Sequence, residues 1–416
     1  MLVLFTFLAA SCGRGESIPN FTISNTGPYI INTEYLYLVK QNLESNPVLQ
    51  DEYNRLIEGA DQFLSQNIRY IPEKPNLSYI PSGTSVNDYV SISRYAHPDS
   101  TGAYTLTIDG VTNSLVELFD RPKLAAMSSA AYTLAMAYYF SGDEAYANKA
   151  SEILKNWFFE PYYRMNPNMD FAQIRPGVPG TGGGGSPGII DANDLIQVVD
   201  AASLLYDSNS WSGQNHIQLK EWYYRFSQWI IKNYNADAYN VTNVSTWMDV
   251  QRGAFFMLSE QDDKLNSDFY IPPITMRIQT QFNTDGVQPF EVTRGRPQHY
   301  VYFNLRGYMN LIHLRKNRTA SDRDWQLLDT ANKAGLQPAL KMIVNYILYP
   351  ERPGTLVSEP GFDDCRYLEI LKPAAVAFNE MIFEEAANHL LERGCRNSAI
   401  SLAYPPLQLL REAENL

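Results

Sequence analysis

Histidine and cysteine are scarce in this 416-residue chain, at five and three residues. The histidines are scattered without a His-Glu-x-x-His pattern, and no cysteine spacing resembles a zinc site. No metal or other cofactor is implied. Basic residues are also in the minority, 33 Lys and Arg against 45 Asp and Glu, for a formal net charge of −12. Duplex binding needs a basic footprint, so nucleic acid is excluded as a partner. No apolar run is long enough to span a bilayer. No period of roughly 33 to 47 residues recurs, which sets aside tetratricopeptide, ankyrin and HEAT arrays. The glycine run Gly182 to Gly185, inside Pro176 to Gly188, has no Gly-Lys-Ser/Thr ending and no strand before it. It is expected to be a mobile rim segment rather than a phosphate loop.

What the chain has in excess is aromatic. Its 28 Tyr and 6 Trp suit the stacking of sugar rings, or the packing of helix seams. Apolar positions from Asn32 to Asn67 recur at helical spacing. Leu124 to Phe140 is an Ala- and Met-rich helix, and Ser141-Gly-Asp-Glu144 reads as a capping box opening a second helix through Phe158. Further helices are expected over Asp194–Tyr206, Ile217–Tyr234, Trp247–Leu258, Pro272–Phe282, Tyr300–Arg315, Asp322–Tyr349 and Ala375–Arg393. Ile71 to Phe119 reads as a long ordered loop crossing over the fold. Nothing reads as a parallel βαβ series.

The N-terminus carries a short apolar run, Leu2 to Ala10, and then Ala9-Ala10-Ser11-Cys12 resembles a lipobox. In a bacterial lipoprotein Cys12 would be acylated, placing the protein in the cell envelope, periplasmic or anchored to the outer membrane; the alternative is an ordinary cleaved signal peptide. No Lys or Arg precedes the run. Residues 1–17 then form signal and tether. Cys365 and Cys395 remain, able to pair in an oxidising compartment, although sequence does not show their proximity.

Four polar and aromatic clusters fall at loop–helix junctions. They are Asp88 to Asp99, with Arg94, Tyr95 and His97; Arg164 to Gln173, with Asn166 and Asn168; Asn240 to Gln251, with Asn243, Trp247 and Asp249; and Gln288 to Tyr300, with Glu291, Arg294, Arg296 and His299. Such density would make a poor core and a plausible cleft. Any one cluster alone is more simply a helix cap.

Together, in order, they resemble the alginate lyase superfamily of polysaccharide lyases. The matching residues are Pro98, Asp99, Asn166, Asn168, Gln173, Gly188, Asp191, Asn243, Thr246, Trp247, Asp249, Gln251, Glu291, Arg294, His299 and Tyr300. The resemblance implies an all-α, single-domain (α/α) toroid or incomplete barrel over residues 18–416, acting on an acidic, uronate-containing polysaccharide by β-elimination. Tyr300 would be base and acid, with its phenol pKa lowered by Arg294 and Arg296, while Arg294 and Asn243 would stabilise the enediolate-like charge. Tyr95, His97, Asn166, Asn168, Gln173, Trp247, Gln251, Arg296 and His299 would bind substrate. A positive field on so acidic a chain must be local, drawn from Arg94, Arg175, Arg294 and Arg296. Asp249 and Gln251 would hold the Asn243 loop, and Glu291 would orient Arg294.

The family's doubled Trp is replaced by Ala96-His97, and the family His after the second Asn is Val244. Either Tyr300 acts with His97 or His299 filling the gap, or the protein is a noncatalytic acidic-glycan-binding lipoprotein. A helical-toroid glycoside hydrolase with Glu291 and Asp249 as its carboxylate pair is the third reading.

Overall fold

Asn32 and Asn46 open the first two helices. Each side-chain oxygen accepts two N–H groups that a helix leaves without partners, starting α1 (Thr33–Asn42) and α2 (Pro47–Ser65). The structure, a computed structural model, describes residues 21, 27–74, 80–178, 186–233, 241–268, 271–318, 329–351, 356 and 358–414. The expected lipid-anchor position Cys12 and the glycine run lie outside the described residues.

The crossing segment after α2 carries β1 (Val90–Ile92), β2 (Ala96–His97) and β3 (Leu106–Thr107), followed by a 3-10 turn over Ser114–Leu118. β1 pairs in parallel with β4 (Phe171–Ile174), and β2 pairs antiparallel with β3. The sequence reading missed these strands, which are too short for an alternating pattern to register. Between β1 and β4 lies the expected hairpin of α3 (Asp120–Ser141) and α4 (Glu144–Phe158). Its turn corrects the capping box: Gly142 ends α3 at φ 74, and Asp143, not Ser141, caps α4 by accepting from Ala145 at 2.8 Å.

The chain continues through α5 (Leu195–Leu204), α6 (Gly213–Asn233), α7 (Asn243–Leu258), α8 (Asp262–Asp268), α9 (Ile271–Gln281) and α10 (Pro297–Asn317). It ends with α11 (Gln337–Leu348), α12 (Leu368–Phe378), α13 (Met381–Glu392), α14 (Ser398–Ala403) and α15 (Leu407–Glu414). Two expected helices change. Ala375–Arg393 splits into α12 and α13 because Asn379 turns left-handed at φ 53. The described part of Asp322–Tyr349 passes through a π-turn at Asn332–Leu336 before α11.

Contacts run in succession through α3, α5, α7, α10 and α12, and α14 links α12 back to α2 beside α3. That circuit is the helical toroid. Arg121 at the start of α3 pairs with Asp194, just before α5, at 2.7 Å. Trp247 of α7 stacks on Phe303 of α10, with centroids 4.8 Å apart. Tyr302 of α10 donates to Glu369 near the start of α12, and Lys316 near the end of α10 reaches the Ala377 carbonyl near the end of α12. The last two pairings make α10 and α12 parallel. Their N-termini gather on one face, where the helix dipoles favour an anionic ligand. Among the described residues no helix is long and apolar enough to cross a membrane.

Candidate active site

Arg294 and Tyr300 flank the start of α10. The Arg294 guanidinium stands 3.7 Å from the Tyr300 ring centroid. Its Nε and Nη2 donate to the two oxygens of Asp109 at 2.9 and 2.8 Å, a bidentate fork. The Gly295 N–H adds a third bond to Asp109 at 2.7 Å, and the Tyr300 hydroxyl makes a long contact of 3.4 Å with the same carboxylate. Held this way, the Asp109 carboxyl titrates below the usual carboxylate range, chiefly through the Arg294 hydrogen bonds. The Tyr95 side chain lies beside the Tyr300 hydroxyl.

The expected lowering of the Tyr300 pKa is not what the geometry produces. Burial, then the neighbouring Tyr95, pushes the phenol far above its ordinary value, and the lowering by Arg294 is the smaller influence. Arg296 is engaged elsewhere, on Glu359 at 2.6 Å. The resting Tyr300 is a protonated acid.

Asn243, the first residue of α7, is buried against Glu291. Its backbone N–H donates to Glu291 at 2.6 Å and its amide nitrogen to both carboxylate oxygens at 2.9 Å. Glu291 therefore orients Asn243 rather than Arg294, and the Asn243 amide donors are already used. Its charge still acts on Arg294, so Asn243, Glu291, Arg294, Asp109, Tyr300 and Tyr95 form one linked cluster.

His299 adjoins this cluster, its ring edge-on to Tyr300 at 5.4 Å and stacked on Phe303. Burial, then the Arg296 and Arg366 charges, lower its pKa to about 4, with a smaller contribution from Arg94, so the imidazole is neutral near pH 7. Arg94 and Arg366 are exposed and have no carboxylate partner among the described residues. They carry the local positive charge, because Arg294 and Arg296, expected to share in it, are each paired with a carboxylate. Arg175, expected there, instead bonds acceptors of residues 104–107 and fastens the crossing segment. His97 bonds the Val111 carbonyl at 3.0 Å, beside the turn that carries Asp109.

Other expected residues form a second focus. Gln173, left-handed at φ 52, donates to Asp191 at 3.0 Å, and Tyr89 and Ser91 converge on that carboxylate. Asn166 donates to Asp88 at 2.7 Å and Asn168 does so at 3.5 Å. Their amides tie the loop before β1 to the loop before β4. Two expected ligands lie in the core. Trp247 is fully buried, donates to the Phe303 carbonyl and offers no face to a sugar. Gln251 is fully buried and donates to the Trp247 carbonyl. Asp249 does not touch the Asn243 loop; it is buried in a pair with Arg277 of α9. Neither Asp249 nor Glu291 is exposed as a hydrolase pair would need to be.

Sequence reasoning missed Asp109 and Glu359. The Asp109-Gly110 pair did carry a turn signal inside the crossing segment. Glu359 carried none. A separate cavity of about 260 Å³, lined by Gln197, Asp200, Arg306, Asn310 and Glu369 among others, contains no member of the Arg294–Tyr300 cluster.

A sequence model of the alginate lyase family matches residues 74–352, more than half of the chain. The chain belongs to the alginate lyase family. Among solved structures, an alginate lyase from Bacteroides ovatus is similar at 26% identity and a TM-score of 0.75, covering 91% of this chain and 98% of that one. Alginate lyase A1-III from Sphingomonas species A1 shares the fold, with 13% identity, a TM-score of 0.51 and coverage of 84% and 94%. No curated protein sequence matches the chain.

Proposed function

We propose that this protein is an active polysaccharide lyase that cleaves a uronate-containing, alginate-like polymer by β-elimination. One observation carries the reading: Arg294 Nη2 and the Tyr300 hydroxyl converge on a single carboxylate oxygen, Asp109 Oδ1, at 2.8 and 3.4 Å. A uronate carboxylate at that place would be neutralised by Arg294, making the adjacent C5 proton acidic. Tyr300 as phenolate takes that proton. The C5 electron pair forms the C4=C5 double bond as the C4–O bond breaks, and the Tyr300 hydroxyl then protonates the leaving oxygen. No water is consumed. Asn243, locked by Glu291, acts as a positioning residue at the wall beside Arg294. Neutral His299 orients Tyr300 and substrate where Val244 replaces the family histidine. Arg94 and Arg366 supply attraction for a polyanion.

The Cys365–Cys395 disulfide supports export to an oxidising compartment, with Cys12 as the lipid anchor of an envelope protein. Incubation with alginate or glucuronan tests the activity. Elimination produces unsaturated ends and a rise in ultraviolet absorbance; no rise on any polyuronate would defeat the proposal. Retained binding with no turnover would favour the glycan-binding alternative.

A further inference from the structure

We propose that Asp109 is a built-in stand-in for the substrate carboxylate, and that a uronate gains Arg294 by displacing it. This rests on the lyase reading above. Four donors surround the Asp109 carboxylate: Arg294 Nε and Nη2, the Gly295 N–H and the Tyr300 hydroxyl. That set fills the acceptor capacity of a carboxylate, and the Arg294 fork is the arrangement by which arginine recognises one. The groups needed to neutralise a uronate are thus occupied by a side chain of the same chemistry.

The tip that carries Asp109 is seated closely but has little apolar anchorage. A Cβ on Gly295 would meet the Asp109 carbonyl oxygen at 2.2 Å, and one on Gly110, at φ +83, would meet Arg296 Cγ at 2.9 Å. Only glycine at these two positions lets the tip rest on the start of α10. Yet the apolar side chains around it, Leu106, Ile108 and Val111, are 46–49% exposed. Backbone bonds from Ile108 to Tyr95 and from Asn113 to Arg94 hold the base of the tip, leaving Asp109 as its polar latch. Lifting the tip exposes little new apolar surface.

The rival arrangement keeps Asp109 fixed as a positioning residue, with substrate held by the remaining guanidinium edge. A second carboxylate would then sit beside the first, and two like charges at one guanidinium repel. Exchange avoids that repulsion and also selects the ligand, since a neutral sugar brings nothing to replace the latch.

The test is a calorimetric titration of alginate oligosaccharides into the slowed Tyr300→Phe protein, with Asp109 intact or changed to Asn or Ala. Exchange predicts that both changes tighten binding, by about tenfold, because a competing internal carboxylate is gone. A neutral oligosaccharide of equal length should bind no better. Unchanged or weaker uronate binding in both variants would overturn the exchange and leave Asp109 a positioning residue. If no variant, Asp109 intact or not, binds any uronate oligosaccharide, the lyase reading itself falls, and the exchange with it.

Discussion

The Arg294 guanidinium meets the face of the Tyr300 ring, 3.7 Å from its centroid, while its fork is spent on Asp109. A cation on the ring face lowers the phenol pKa less than burial and Tyr95 raise it. The phenolate is therefore scarce at neutral pH, and kcat/KM should climb as pH rises from about 7 toward 9. Asp109 is among the charges that raise the phenol, so Asp109→Asn should move the climb to lower pH. A profile that is flat or falling over that range would remove Tyr300 as the base.

Acid should weaken the fold through its buried histidines. Burial lowers His216 to about 4 and His313 to about 3, against about 6.5 when unfolded. Between those limits the unfolded chain binds more protons than the folded one. Stability is thus full above pH 6.5 and falls as pH drops, by roughly 1.4 kcal/mol per histidine per pH unit. Asp200, raised to about 6 by burial, works in the opposite sense from its unfolded pKa upward and offsets about one histidine between pH 4 and 6. Urea midpoints at pH 7 and pH 5 should show the loss, and His313→Asn should reduce it.

Reduction offers a separate handle. Cys365–Cys395 closes a loop of sequence separation 30, worth about 3–4 kcal/mol by loop entropy. The double change to alanine should lower the denaturation midpoint accordingly, while turnover at low temperature persists. Loss of turnover with the fold intact would tie the disulfide to the site.

Asp249 separates lyase from hydrolase. Asp249→Ala deprives buried Arg277 of that carboxylate and should cost about 3–5 kcal/mol of stability. If Asp249 were instead half of a hydrolase pair, the isosteric Asp249→Asn, assayed where it is still folded, would abolish activity; the lyase reading has the folded fraction still turning over.

Much of this was legible in the sequence because helices announce themselves every turn. The α3–α4 hairpin and α10 followed from apolar spacing, and the ordered motifs pointed to the alginate lyase family. What stayed hidden was long-range pairing. Asp109 lies 185 positions from Arg294, and Glu291 lies 48 from the Asn243 it holds. No local pattern joins residues that far apart. Trp247 and Gln251 misled for a different reason: they share a helix face with Asn243 but sit one and two turns farther along α7, where α10 encloses that face. Motif density marked the mouth of the site and did not reveal its depth.

Mass spectrometry of the products from a defined alginate oligosaccharide tests the central claim most directly, comparing the native protein with Tyr300→Phe. Elimination predicts a new fragment lighter by one water than its hydrolytic counterpart, with Tyr300→Phe folded and slower by about 10²–10⁴. A saturated, water-added fragment, or a Tyr300→Phe protein as fast as the native one, would contradict it.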